Sequence, residues 1–297
     1  MQLKLTFAVL FVYNLLNPIF PAEDMLKVST DVSVAEKVTE NKDAKPEEET
    51  GADDHKVRNW NLPAKQTDSF GNEFVLIPEG TFMLDGEKEA NKYPFYMATM
   101  EVTQELWVKV MGAKTWEKSE AYLGYPFVYT PENPVIMVSF EEIYIFITKL
   151  NAALDQPLYR LPTTAEWTYA ALAGTNTKFS FGDDPKLLTE YAWYEGNSDD
   201  LMPAGSLKPN PWGLYDMHGS VWELTVPVGF DFAKPMTKLE GDMLEDRDKL
   251  GGSWMNPQED CYSTSKGTTS VVERGEDLGF RLVLDAPLIK KIRDRGL

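Results

Sequence analysis

The stretch Pro209-Asn-Pro-Trp-Gly-Leu-Tyr-Asp-Met-His-Gly-Ser-Val-Trp-Glu223 decides how this chain is read. Its prolines, asparagine and glycines argue against a long helix, and Asp216 and Glu223 set two carboxylates on either side of a glycine turn. A hard cation such as calcium takes roughly six to eight oxygens, commonly two carboxylates completed by carbonyls and water. An Asx-turn at Asp216 with a solvent-facing Glu223 would use the same residues without an ion. His218, inside the turn, reads as a hydrogen-bonded structural histidine rather than a catalytic one.

Upstream, the pattern becomes regular. Thr163-Thr-Ala-Glu166 and Ser139-Phe-Glu-Glu142 are capping boxes, in which each hydroxyl and each Glu can satisfy a free backbone N–H of the other. Behind Ser139, Phe140, Ile143, Tyr144, Ile147 and Leu150 fall on one helical face. The helix opened by Thr163 runs to about Ala173 and stops at Gly174. Arg160, just ahead of it, is placed to pair with carboxylates, and Trp167 and Tyr169 read as core. Thr103 offers another N-cap, followed by Leu106, Trp107, Val110 and Met111 at helical spacing. Phe74 to Gly80 is an apolar run closed by a turn signal, which predicts a strand and hairpin, and Tyr93 to Met100 predicts a second strand. From Gly174 to Arg281 the chain is rich in Gly, Pro, Asn and Trp. The expectation is an α+β domain, folded from near Phe70, whose second half is mostly irregular.

The 297 residues carry 29 Lys and Arg against 47 Asp and Glu, a formal charge of −18. Nucleic acid and anionic membrane surfaces both need clustered basic charge, so neither is an expected partner. With 1 Cys and 2 His, thiolate or imidazole zinc sites and haem-attachment motifs are excluded by counting. Residues 1–22 combine Lys4, a short apolar run and Ala22, which reads as a signal peptide too short to span a membrane. The protein is therefore expected to be exported, periplasmic or secreted, with no membrane span after cleavage. Residues 23–66 read as an acidic disordered linker containing a solvated His55; the domain follows over 67–286, with a tail at 287–297.

Four segments in order carry a family resemblance: Tyr159-Arg-Leu-Pro-Thr-Thr-Ala-Glu-Trp-Thr-Tyr-Ala-Ala171, the 209–223 stretch, Gly251-Gly-Ser-Trp254 and Leu278-Gly-Phe-Arg281. Over roughly residues 70–285 the chain resembles the formylglycine-generating enzyme, or sulfatase-modifying-factor, family. The resemblance implies a fold akin to C-type-lectin-like domains. It implies structural calcium on Asp216 and Glu223 through side chains and on Gly219 and Val221 through carbonyls. A second family calcium site is weaker here, with Trp193 after Tyr191-Ala192 and only Asn197, Asp199 and Asp200 nearby.

The family's enzymes oxidise a substrate cysteine with copper(I), oxygen and two cysteines of their own. Counting on from Trp254, Asn256 stands at the first cysteine position and Cys261 at the second. A hard amide does not replace a thiolate toward a soft ion, so the usual copper–cysteine chemistry is not expected. The arginines that the family usually carries after Tyr262 are also missing, with Ser265 and Thr269 in their places. Cys261 has two readings, a remnant redox thiol or a small buried hydrophobe. By resemblance, Ser253 and Trp222 line the substrate groove. The leading expectation is an oxidoreductase or maturation factor acting on a protein or peptide. The alternative is a non-catalytic, calcium-supported binding or scaffold module of an envelope or secretion assembly.

Overall fold

The computed structural model describes residues 60–84, 86–118, 128–152, 157–233 and 245–294, with side chains to residue 290. The signal peptide, most of the linker and His55 lie outside the described residues. A five-stranded antiparallel sheet is ordered β1 (Lys65–Thr67), β2 (Glu73–Ile77), β5 (Phe95–Ala98), β11 (Val283–Leu284) and β6 (Tyr159–Arg160). A second sheet is ordered β10 (Leu278–Gly279), β7 (Trp222–Leu224), β8 (Arg247–Leu250) and β9 (Lys266–Thr269), with β10 parallel to β7. The remaining strands, β3 (Gly80–Leu84) and β4 (Glu87–Asn91), form a hairpin of their own. The architecture is α+β, and the long stretch between Leu172 and Trp222 holds only a 3₁₀ segment, Pro185–Glu190.

The helices start where the caps place them. Thr103 accepts from Leu106 N at the head of α1 (Gln104–Met111). Both reciprocal bonds of the capping box form at α2 (Phe140–Asn151) and at α3 (Thr164–Leu172). Ala173 takes the left-handed conformation and Gly174 follows at φ 86°, which ends α3. The predicted periodic faces are buried: Phe140, Ile143, Tyr144, Ile147 and Leu150 are each at most 1% exposed, in one cluster with Trp107 and Phe280. Trp107 stacks on Phe146 with ring centroids 5.2 Å apart, and both meet Phe280 edge-on.

Three expectations need correction. The hairpin after Phe74 lies one turn later than expected, because β2 is spent pairing with β1 and β5, and β3 turns back on β4 instead. The folded part begins before Phe70: Trp60 meets Tyr93 edge-on, Leu62 packs on the core, and β1 pairs with β2. A polar Lys-Gln-Thr edge strand carries no apolar signature, so a ladder held by backbone bonds escapes sequence patterning. The expected tail is in large part helix α4 (Ala286–Asp294), whose Ala286 and Ile289 are buried in the main core. Among the described residues no helix is long and apolar enough to cross a membrane.

Candidate functional site

All four sequence motifs meet at one buried ion pair. Glu223, on β7, and Arg281, two residues after β10, are both fully buried. Arg281 Nε donates to Glu223 Oε2 at 2.6 Å and Nη2 to Oε1 at 2.5 Å, a bidentate pair. Trp167, on α3, donates its indole N–H to the same Oε2 at 2.8 Å. The parallel pairing of Gly279 with Glu223 sets the two strands in register, and a Cβ on Gly279 would lie 2.8 Å from Val135 O. The third motif closes over Trp167: a Cβ on Gly251 would stand 3.0 Å from its ring, and Trp254 N donates to Ser220 O.

The turn between Asp216 and Glu223 is bent unusually. Asp216 and Ser220 adopt φ of 59° and 67°, and Gly219 lies at 149° with room for no Cβ, since Trp193 O would be 2.3 Å away. That carbonyl accepts the Ser220 N–H at 2.8 Å. Asp216 Oδ2 accepts from Gly205 N at 2.6 Å, while its Oδ1 is buried without a partner. Beside it sits a residue that the motifs did not single out. Glu101 is 3% exposed and neither of its carboxylate oxygens has a hydrogen-bond donor. Burial, with Asp216 next in importance, pushes the Glu101 carboxyl well above its ordinary range, and burial raises Asp216 as well. The one clue in the sequence was an acid set in a mostly apolar run, Tyr96-Met-Ala-Thr-Met-Glu-Val102.

These facts bear on the calcium expected at the turn. Asp216 offers an open oxygen, and Gly219 and Val221 are buried in the same turn. Glu223 is already held by Arg281 and Trp167, so it is the donor least free to serve an ion. Three carboxylates against one guanidinium leave this region with a surplus of negative charge, which suits a divalent cation. No three His, Cys, Asp or Glu side chains among the described residues form a ready-made metal cluster, so such an ion would need carbonyl or water oxygens. In the second candidate loop, Asn197 Oδ1 accepts from Tyr194 N and its Nδ2 donates to Ala192 O, and Asp200 Oδ1 accepts from Leu201 N.

The loop expected to hold the thiols is built differently. Asn256 Oδ1 accepts from Ser253 Oγ at 2.5 Å, and Nδ2 donates to Asp260 Oδ2 at 3.1 Å. Ser253, fully buried, also lies 2.8 Å from Asp277 Oδ2. Cys261 ends a 3₁₀ turn (Gln258–Cys261), shows no exposed surface and packs with Phe179, Leu188 and Ala192. Burial, then Asp260 and Glu259, pushes its thiol up to about 12. A donor set of one neutral buried thiol and a hydrogen-bonded amide does not fit copper(I). His218 Nε2 accepts from Ser180 N at 3.1 Å, so Nδ1 carries the proton toward Cys261 O at 3.0 Å; burial brings its pKa to about 4. Trp222 is 6% exposed, with Lys249 Nζ 5.0 Å from its ring centroid. Ser265 and Thr269, at the arginine positions, bond to Glu259 O and Glu273 Oε2.

A bidentate buried ion pair that locks four loop motifs into an α+β frame of short sheets defines a class of protein by its scaffold, not by its chemistry. The Sulfatase-modifying factor enzyme 1-like domain matches residues 60–286, and the chain belongs to that family. The chain is 26% identical over 265 residues to the Chaperone protein LppX of Paenibacillus barcinonensis, spanning 71% of this chain and 89% of the relative. It is 27% identical over 258 residues to the Formylglycine-generating enzyme of Mus musculus, spanning 80% of this chain but 64% of that enzyme. Among solved structures, Treponema denticola variable protein 1 superposes with a TM-score of 0.61 at 26% identity, covering 75% of this chain and 99% of the other. PvdO from Pseudomonas aeruginosa shares the fold with a TM-score of 0.58 at 21% identity, over 72% of this chain and 95% of PvdO.

Proposed function

We propose that this chain is an exported, calcium-supported binding module with a chaperone- or scaffold-like role toward a protein or peptide partner, and that it does not run copper–cysteine oxidation. One observation carries the reading: the positions that would hold two thiols hold an amide bonded to Ser253 and Asp260 and a buried, neutral Cys261. The name of the Paenibacillus relative, a chaperone that this chain covers over most of its length, supports the same direction. Calcium at the Asp216 turn fits the orphaned oxygen there and the surplus of buried negative charge. The acidic segment before residue 60 would space the domain from an envelope or secretion assembly.

The test pairs two assays on purified protein. Cysteine-containing peptides are incubated with copper(I) and oxygen, and aldehyde formation and oxygen uptake are followed; none is expected above a protein-free control. Light scattering of a denatured exported hydrolase, diluted with and without the protein, should show suppressed aggregation that depends on calcium. Aldehyde formation lost in Cys261→Ser would overturn the reading.

A further inference from the structure

Around Arg281 the core holds Glu101, Asp216 and Glu223, all three within its electrostatic reach. Only Glu223 is matched by hydrogen-bond donors on both oxygens. Two negative charges remain once Arg281 is set against the three carboxylates, on residues that are 3% and 2% exposed. Buried anions of this kind need a cation or protons. Three oxygens there lack a partner: both of Glu101 and Oδ1 of Asp216. The Glu101 and Asp216 carboxyls lie within hydrogen-bond reach of each other. A cleft lined by Asn72, Thr99, Glu101, Thr103 and Leu282 borders the Glu101 segment.

We infer that Glu101, a residue 115 positions ahead of Asp216 and outside the calcium motif, is the second carboxylate ligand of the cation at this turn, in place of Glu223. The inference rests on the calcium reading above and refines its donor set. Glu223 instead has an architectural task, holding Arg281 and Trp167 together. One divalent ion brings the four buried side chains to neutrality and gives each orphaned oxygen a partner.

The experiment uses the purified full-length chain stripped of metal. Terbium, a calcium-sized cation sensitised by nearby tryptophan, and calcium itself are titrated while luminescence and melting temperature are read. The wild type should show saturable terbium luminescence displaced by calcium. Glu101→Gln should weaken both ions by about tenfold or more, the scale of lost ligand support. Its metal-free melting temperature should equal or exceed the wild type's, because the variant removes an uncompensated buried carboxylate. Glu101→Asp, which keeps the charge but shortens the reach, serves if the glutamine variant does not fold, and should also weaken binding. Wild-type affinity in the Glu101 variants overturns the assignment while leaving calcium in place. A wild type that binds neither ion overturns the calcium reading and this inference together.

Discussion

Arg281→Met removes the guanidinium set against three buried carboxylates while keeping most of the side chain's volume. The pair with Glu223 shows no exposed surface on either side, so solvent cannot rescue the orphaned carboxylate. Breaking a buried pair from one side costs about 3–5 kcal/mol, and at about 2–4 °C per kcal/mol for a domain of this size the melting temperature should fall by about 6–20 °C. The loss is compounded because Arg281 also donates to Tyr215 O at 2.9 Å and Ala98 O at 3.3 Å, tying the turn to β5. Urea titration followed by tryptophan fluorescence gives the free energy, with Glu223→Gln and the double variant closing a thermodynamic cycle. Contacting residues in such a network couple by up to about 3 kcal/mol, and a value near that limit is expected here. If Arg281→Met costs less than about 1 kcal/mol, the range of an exposed pair, the central ion pair does not hold the motifs together.

Four other outcomes follow from the same geometry. Chelation should lower the melting temperature of the wild type, since a ligand at one hundred times its Kd stabilises by about 2.7 kcal/mol; Asp216→Ala should be insensitive to chelator, and a chelator response equal to the wild type's would contradict the ion placement. Gly219→Ala should cost at least about 1–3 kcal/mol in urea titration, from a left-handed φ and a clash with Trp193 O; a neutral result would mean that the turn is bent differently. Cys261 keeps its proton in the folded state up to about 12 against an ordinary 9.0. The unfolded chain thus gives up its thiol proton first, and stability should fall as pH rises through that window, approaching about 1.4 kcal/mol per pH unit; Cys261→Ser should flatten that slope, and native Cys261 should resist iodoacetamide at pH 8 until urea is added. Trp167→Phe, which keeps an aromatic ring but removes the N–H to Glu223 together with part of the indole, should destabilise by at least about 1.5–3 kcal/mol, the worth of a hydrogen bond to a charged group with the cavity left behind added to it, read by thermal melt.

Much of the frame was legible because local chemistry fixed it. Ser139 with Glu142 and Thr163 with Glu166 announced their helices through capping boxes, and both form as drawn. Arg160 pairs with Glu166 at 2.7 Å and 2.8 Å, as its place before the cap suggested. His218 proved to be a buried link between Ser180 and the Cys261 carbonyl. What stayed hidden was long-range. Arg281 and Glu223 lie 58 residues apart, and nothing in either motif states that the other is its partner. Glu101 had no pattern around it beyond its apolar neighbours, because a buried acid reveals itself only through what surrounds it in space. The edge strand at Lys65–Thr67 and helix α4 were missed for a related reason: one is held by backbone pairing and the other by docking of few apolar residues.

The most direct test of the central claim is an anaerobic copper(I) titration of the purified protein against a competing chelator, run beside Cys261→Ser. No tight one-to-one site and no difference between the two proteins are expected, since Asn256 is no thiolate and Cys261 is buried and neutral. Stoichiometric copper(I) binding that disappears in Cys261→Ser would contradict the claim and return the protein to oxidation chemistry.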